Sequence, residues 1–373
     1  MSYANLQGQR SMALDATRNP VYERALKACV NTDSAVLDLG AGIGIFGLLA
    51  LKHGARQVYA VEPQAIGTLA HEIAAANGWG DRLKVLHGRI EEIELPEKVD
   101  VIVSAMTGNL LFNEDLLPTL FNARDRFLKP DGMMVPSAAA IDAVLVQSPK
   151  IADRQLESWA RPHLGIDMSA PRRYAANSIA FREPSLRDAE ALGEPAELFR
   201  MDLTSASYEK LDATVELAVA ESGRANGVGA WLRMELGDEW LSTGPFDPKV
   251  HWSPAWIPLD PPLDVERGET GTLRIMRPPH GDWVWQYKHG GLTRQGSTRF
   301  ARPLGSLSTR RRSDTPAATR RAAAVAFVIG AMDGTTRRET IAARVIDEFA
   351  DLFPTAEKAT AFVEQITRVH GSS

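Results

Sequence analysis

The sequence predicts a doubly wound α/β sheet that leads into an antiparallel β domain and then a small helical tail, and three observations predict it. From residue 34 to about 136, short apolar runs alternate with helical stretches, as βαβ units do. Beyond Pro136 the period drops to the two-residue alternation of half-buried strands. From residue 319 onward helical spacing returns.

The first strands are expected at residues 35–38, 57–61, 83–86 and 99–103, with helices over 46–53 and 65–77. Gly54 and Gly78 stand where such helices end. Alternation such as Ala140-Ile141-Asp142-Ala143-Val144 and Val215-Glu216-Leu217-Ala218 marks strands of the second domain. Ser242-Thr243-Gly244-Pro245 and Asp260-Pro261-Pro262 are expected to be turns between them. Residues 151–188 are less strand-like and suggest a helical insertion. Residues 301–318, rich in Arg, Ser, Thr and Pro, are expected to be a linker. Three short amphipathic helices then follow at 318–332, 338–349 and 356–370, the first two joined through Asp333-Gly334-Thr335-Thr336. The expected domains are therefore 1–136, 137–300, a linker over 301–318, and 319–373.

The 373 residues carry a net charge of -5, which offers no general attraction for phosphate backbones or anionic lipid. Nucleic acid and membranes are thus not expected partners. A single cysteine, Cys29, excludes an internal disulfide framework and a cysteine-based zinc site, so no metal is expected and a reducing cytoplasm fits. The start of the chain lacks the basic flank and apolar core of a secretory signal. The longest apolar runs, 43–51 and 322–332, are interrupted by Gly47 and Gly330 and fall short of a bilayer span.

The strongest local pattern is Val36-Leu37-Asp38-Leu39-Gly40-Ala41-Gly42-Ile43-Gly44, a strand running into a glycine turn and a helix. Gly40, Gly42 and Gly44 suit a backbone that turns tightly and approaches a ligand with no Cβ in the way. Taken alone the turn also satisfies a dinucleotide pattern, with Glu62 twenty residues beyond Gly42. Two details favour S-adenosylmethionine. Asp38, at the end of the strand, suits a cationic sulfonium or amino group better than a pyrophosphate. Glu62 ends the second strand, placed for two ribose hydroxyls, and Gly88-Arg89-Ile90-Glu91 follows the third, where Ile90 and Glu91 are placed to meet an adenine. The alternative is that the glycines only permit close helix packing, with the acids as surface caps.

With these residues in view, the chain from about residue 12 to 277 resembles the protein arginine methyltransferases. The likeness rests on Met12-Ala13-Leu14-Asp15-Ala16-Thr17-Arg18, on Gly88-Arg89-Ile90-Glu91-Glu92-Ile93-Glu94-Leu95-Pro96, on Ala123-Arg124-Asp125-Arg126-Phe127-Leu128-Lys129-Pro130-Asp131-Gly132 with Pro136, and on Val250-His251-Trp252. The resemblance implies a class I methyltransferase sheet, then a β-barrel, and a homodimer formed through an arm near 151–188 that includes Gly165-Ile166-Asp167-Met168-Ser169. It implies a helix over 12–18 whose Arg18 grips the cofactor carboxylate, and a pairing of Asp15 with His251. By themselves His251 and Trp252 read as core or surface residues.

The chain departs from the family at the acceptor loop, where the family holds a guanidinium between two glutamates. Here the loop reads Ser104-Ala105-Met106-Thr107-Gly108-Asn109-Leu110-Leu111-Phe112-Asn113-Glu114. Glu114 stands for the second acid, and Ala105 replaces the first. A charge-assisted carboxylate bond is worth about 1.5–3 kcal/mol, so a pocket of Ala105, Met106 and Trp252 is less acidic and roomier. The expected function is methyl transfer from S-adenosylmethionine to a nitrogen of a peptide or small natural product, with Glu114, His251 and Asp15 as the catalytic group. Two alternatives stand beside it: an arginine methyltransferase with an altered acidic pocket, and an inactive cofactor-binding scaffold. The segment from Ala331 to Ile341 also resembles the central turn of small winged-helix proteins that grip leader peptides, which implies peptide binding by the tail. A helical cap packed on the barrel is the simpler reading, and DNA binding through Arg310-Arg311-Arg312 and Arg320-Arg321 is disfavoured by the acidic whole.

Overall fold

A computed structural model describes residues 5–181, 183–302 and 320–370. Five parallel strands form the first sheet: β1 (Ala35–Leu39), β2 (Gln57–Val61), β3 (Leu83–Leu86), β4 (Val99–Ser104) and β5 (Leu128–Val135), in the order β3-β2-β1-β4-β5. Every residue of β1 is buried, as a central strand covered on both faces requires. Helices α3 (Ile45–Lys52) and α4 (Thr68–Ala76) pack against β1 to β3, and α5 (Leu117–Phe127) against β4 and β5. The register aligns Leu39 with Val61 and Ser104, so the carboxyl ends of the central strands form one level rim. The strand order reverses beside β1, the usual place for a ligand crevice in such sheets.

Two helices precede the sheet, α1 (Leu6–Ala13) and α2 (Arg18–Cys29). This corrects the expected helix over 12–18. The chain breaks there because the Asp15 carboxylate accepts hydrogen bonds from the Thr17 and Arg18 backbone amides, at 3.1 and 2.8 Å, an Asx-type turn that competes with helix continuation. The apolar alternation also gave no sign of β5, whose Lys129-Pro130-Asp131-Gly132 lacks a strand pattern and follows α5 without a loop.

The second region is antiparallel. One sheet runs β7 (Ala180–Phe181), β13 (Ala255–Val265), β11 (Gly223–Leu236), β6 (Ala138–Gln147), β8 (Glu190–Ala191), with β12 (Glu239–Ser242) on β11 and β9 (Ala196–Asp202) on β6. The other runs β10 (Leu211–Ala218), β14 (Thr270–Arg277), β15 (Val284–His289), β16 (Leu292–Ser297). Together they make a barrel-like domain. Asp260-Pro261-Pro262 is not a turn: it lies inside β13. The ladder with β11 accommodates the prolines by a register shift between Ala225 and Gly227, since a residue without an N–H is tolerated in a strand at an irregularity. Residues 148–188 form an insertion on the barrel that holds α6 (Pro149–Gln155) and α7 (Arg172–Ala175) and returns to β13 through β7, with Leu164 and Ile166 exposed.

One hydrophobic core runs through both regions, from Leu37 and Val101 in the parallel sheet to Leu232 and Ile275 in the barrel. The chain divides into two compact units, residues 1–303 and 304–373. The smaller unit contains α8 (Arg320–Ala331), α9 (Arg338–Glu348) and α10 (Ala356–His370) around its own core of Val328, Ile341, Val345, Phe353 and Phe362. Among its described residues there is no strand, so the wing that a winged helix needs is missing from them. Asp333 ties the α8–α9 turn by accepting from the Thr335 and Thr336 amides at 2.8 and 2.7 Å. Most of the linker expected at 301–318, with Arg310-Arg311-Arg312, lies outside the described residues. Among the described residues no helix is long and apolar enough to cross a membrane.

Candidate active site

The glycine turn needs its glycines. Gly40, Gly42 and Gly44 have φ of 71°, 57° and 81°, backbone that side chains with a Cβ rarely adopt. The turn hangs on β2, with the Gly40 and Ala41 amides donating to the Val61 carbonyl at 3.0 and 3.1 Å. Beyond it opens a cavity of about 310 Å³ lined by the turn, α1, the head of α2, the 105–116 loop and the His251-Trp252 loop. That volume lies at the lower end for small-molecule sites.

Glu62 lines this cavity and is fixed by backbone amides, accepting from Gly42 at one oxygen and Gln64 at the other, both at 2.9 Å. A carboxylate has about four acceptor positions, so hydroxyl donors can still be received. Arg18 is 1% exposed and also lines the cavity. Its guanidinium lies over Phe46 at 4.7 Å and Trp252 at 5.5 Å, and donates to the Met12 carbonyl and Asn19. Burial lowers its pKa, opposed by the nearby Tyr22, Asp15 and Asp38.

Asp38 differs from the sequence reading. It is not among the residues lining the cavity; its Oδ2 accepts from the Gly47 amide at 2.8 Å in the first turn of α3, where a helix N-terminus favours an acceptor. Burial raises its pKa to about 7, the Gly47 bond and Arg18 lower it, and Glu62 adds to the rise. Gly44 is likewise absent from the lining and packs on Ala70 of α4. Ile90 and Glu91 are not brought to the lining either: Ile90 is buried, and Glu91 accepts from Thr119 at 2.8 Å beside Arg89.

At the other side of the cavity the structure assembles the remaining residues. Ala105, Met106, Glu114, His251 and Trp252 all line it. His251 Nδ1 lies 3.2 Å from Asp15 Oδ2, and its backbone amide donates to the same oxygen at 2.8 Å. Burial alone would raise the Asp15 pKa, but bonds from the His251 ring and from the Arg18, His251 and Thr17 amides bring it down to about 2. Asp15 is therefore a fixed carboxylate aimed at the imidazole. The Trp252 ring lies against that imidazole, centroids 4.0 Å apart. Sequence reasoning missed Gln9, a buried α1 residue whose amide group occupies the space where a Cβ on Gly42 would fall. It also missed Asn109, which accepts from the Ser253 amide at 2.9 Å and ties the 105–116 loop to the histidine loop. Neither carried a signal, since a lone amide residue has no period or motif.

Two family models divide the larger unit. Residues 36–132 match a methyltransferase domain, and residues 137–291 match the arginine methyltransferase oligomerization subdomain. Over 312 residues the chain is 30% identical to protein arginine N-methyltransferase 6 of Xenopus laevis, covering 79% of this chain and 92% of that protein. This chain belongs to the protein arginine methyltransferase family. Two solved family structures share its fold. The Trypanosoma brucei PRMT1 enzyme–prozyme heterotetrameric complex with AdoHcy has a TM-score of 0.71 at 25% identity, over 80% of this chain and 99% of that one. Arabidopsis thaliana protein arginine methyltransferase 10 has a TM-score of 0.68 at 26% identity, over 79% and 99%. As a member of this family the chain is an S-adenosylmethionine-dependent methyltransferase.

Proposed function

We propose that this methyltransferase acts on a nitrogen of a peptide or small natural product other than an ordinary protein arginine. The observation that carries this is the composition of the cavity wall: Ala105 and Met106 stand beside Glu114, so the acceptor meets one carboxylate there. The second acid of the lining, Glu62, sits against the glycine turn. A guanidinium held by two carboxylates has both of its faces of N–H donors satisfied; with Ala105 in place of the family's first loop glutamate, one set of donors would be buried unpaired, which costs about 1–3 kcal/mol.

The residues present suit the cofactor. Arg18 would receive its carboxylate, Glu62 its ribose hydroxyls, and the backbone at Gly40 and Gly42 its close approach; Asp38 would support this indirectly by fixing the start of α3. When bound, S-adenosylmethionine supplies an electrophilic methyl on a sulfonium. Glu114 would hold an N–H of the acceptor so that the nitrogen lone pair points along the methyl–sulfur bond. Transfer to that nitrogen would form a nitrogen–carbon bond in place of the carbon–sulfur bond, whose electron pair would stay on sulfur. Asp15 would fix the proton of His251 on Nδ1, making Nε2 the basic nitrogen that receives the acceptor's surplus proton, directly or through water. We further propose a homodimer through the arm near 151–188, supported by its exposed Leu164 and Ile166 and by the match to an oligomerization subdomain.

The test incubates the full chain with isotopically labelled S-adenosylmethionine and either arginine-rich peptides or extract of the native host, with products read by mass spectrometry. Label in a non-arginine product is expected, with arginine peptides at least about tenfold poorer. Robust methylarginine would overturn the altered acceptor, and cofactor binding with no product from any extract would favour a scaffold. The ribose assignment is checked alongside: Glu62→Ala should weaken AdoHcy binding by about tenfold or more, and unchanged affinity would remove Glu62 from the cofactor site.

A further inference from the structure

Four residues other than glycine have positive φ among the described residues, and three bear on one loop: Leu111 at 57° and Asp115 at 53° lie in it, and His280 at 54° donates to it. Leu111 and Asp115 belong to the loop that carries Glu114; His280 follows β14 of the barrel. Backbone held in this region is strained and persists only where surrounding contacts over-determine it. For a branched leucine the cost is real, so something must hold the loop.

The holding contacts converge on Asp115, the residue after Glu114. The Arg277 guanidinium, at the end of β14, donates to both Asp115 oxygens at 2.7 Å each. The Tyr208 hydroxyl donates a short bond to Oδ1, and the His280 amide donates to the same oxygen at 3.2 Å. The Arg277 side chain is 5% exposed and lies over the Trp283 ring, 5.6 Å from its centroid. Tyr208 continues the contact by stacking near Phe112, which is itself buried against Phe199. A bidentate guanidinium–carboxylate pair whose arginine is buried is among the stronger orienting contacts available to a side chain. The other end of the loop is tied at Asn109 to Ser253. Glu114 therefore stands on a loop held to the barrel at both ends.

We propose that Arg277, with Tyr208, is a positioning residue for methyl transfer: its clamp on Asp115 holds the strained backbone that presents Glu114 to the acceptor. This rests on the reading of Glu114 as the acceptor-binding carboxylate. It gives the barrel a second part in the reaction beside the His251 loop: Arg277, at the end of β14, sets the reach of the acceptor loop's carboxylate. Arg277 touches neither acceptor nor cofactor in this scheme and acts only through Asp115.

The experiment compares the full chain with Arg277→Ala, Arg277→Lys and Asp115→Asn, the last retaining a side chain that tolerates positive φ. Three quantities are read: backbone hydrogen exchange of peptides spanning residues 105–120, AdoHcy affinity, and the rate of labelled methyl transfer to host extract. For Arg277→Ala, exchange over 105–120 should rise about tenfold while peptides from β1 and β2 stay unchanged. AdoHcy affinity should stay within about twofold, and transfer should fall about tenfold or more. Arg277→Lys, a single point charge, should recover part of the loss, and Asp115→Asn should loosen the loop without unfolding the sheet. Unchanged exchange over 105–120 in folded Arg277→Ala overturns the clamp, as does an equal rise everywhere in the unit. A loosened loop with undiminished transfer overturns its role in positioning Glu114. Should the unmodified chain transfer no label, the acceptor reading fails by itself, and the exchange pattern still decides the clamp.

Discussion

Asp15 and Asp38 are both buried, yet their surroundings push their acidities in opposite directions, and the two signs can be measured. Asp15 accepts from three backbone amides and an imidazole, which outweigh burial and bring its pKa to about 2. A lowered carboxylate pKa stabilises the fold above the unfolded value, and that contribution is lost as pH falls through the folded one. Asp38 is the reverse. Burial raises it to about 7, ahead of the Gly47 bond that lowers it and the Glu62 charge that raises it further. Its contribution is fully present below the unfolded value and is lost as pH rises through about 7. Asp38→Asn keeps an oxygen acceptor for the Gly47 amide but does not ionise. The variant should therefore gain stability relative to the natural chain as pH goes from about 5 to about 8, measured by urea unfolding of the cofactor-free protein at both values. A difference between the two that does not change with pH would show that Asp38 stays ionised throughout. The same residue shows where sequence reading stops. Its strand-end position was visible in the pattern, whereas its bond to Gly47, nine residues on, depends on how tightly α3 seats against β1.

At the scale of elements, four of the five parallel strands were legible as short apolar runs, β2 and β3 falling at 57–61 and 83–86 while β5 carried no such run, and the three terminal helices lie within two residues of their expected bounds. The helix over 12–18 was not legible, since the Asx turn at Asp15 is a side-chain effect that periodicity does not register. Nor was β13, where a proline pair looks like a turn unless the neighbouring strand supplies a bulge. Glycines make a sharper test of element packing. A Cβ on Gly44 would meet the Ala70 Cβ at 2.6 Å, with φ at 81°, whereas Gly78, with φ at 76°, has nothing within 4 Å. Both alanine substitutions pay for positive φ, about 1–3 kcal/mol. Only Gly44→Ala also drives α3 and α4 apart, adding about 1–3 kcal/mol more. Thermal unfolding should thus show Gly44→Ala well below Gly78→Ala, and equal losses would mean that the α4 contact yields freely.

For the whole molecule, the seam at Pro136 and the seam at 303 differ in kind, although a change of pattern marks both in the sequence. Across the first, a single core continues from Leu37 to Ile275. Tyr22 of α2 reaches Met234 of β11 with its hydroxyl at 3.8 Å, Arg24 pairs with Glu239 of β12 at 2.6 and 2.8 Å, and Arg124 of α5 donates to the Leu203 and Ala206 carbonyls at 2.8 Å. The cavity itself draws Arg18 from one region and His251 and Trp252 from the other. Across the second seam each unit has a core of its own. A chain ending at residue 303 should consequently fold with one cooperative transition and bind AdoHcy within about twofold of the full chain, because no residue of its core or its cavity is removed. A chain ending at residue 136 keeps the glycine turn and Glu62 but exposes the apolar faces that the barrel covers, and it should aggregate or bind AdoHcy at least about tenfold more weakly. Calorimetry on both shortened chains decides the matter. Full affinity in the shorter one would mean that the barrel adds nothing to the cofactor half of the cavity, and lost affinity in the longer one would give the three-helix unit a share in it.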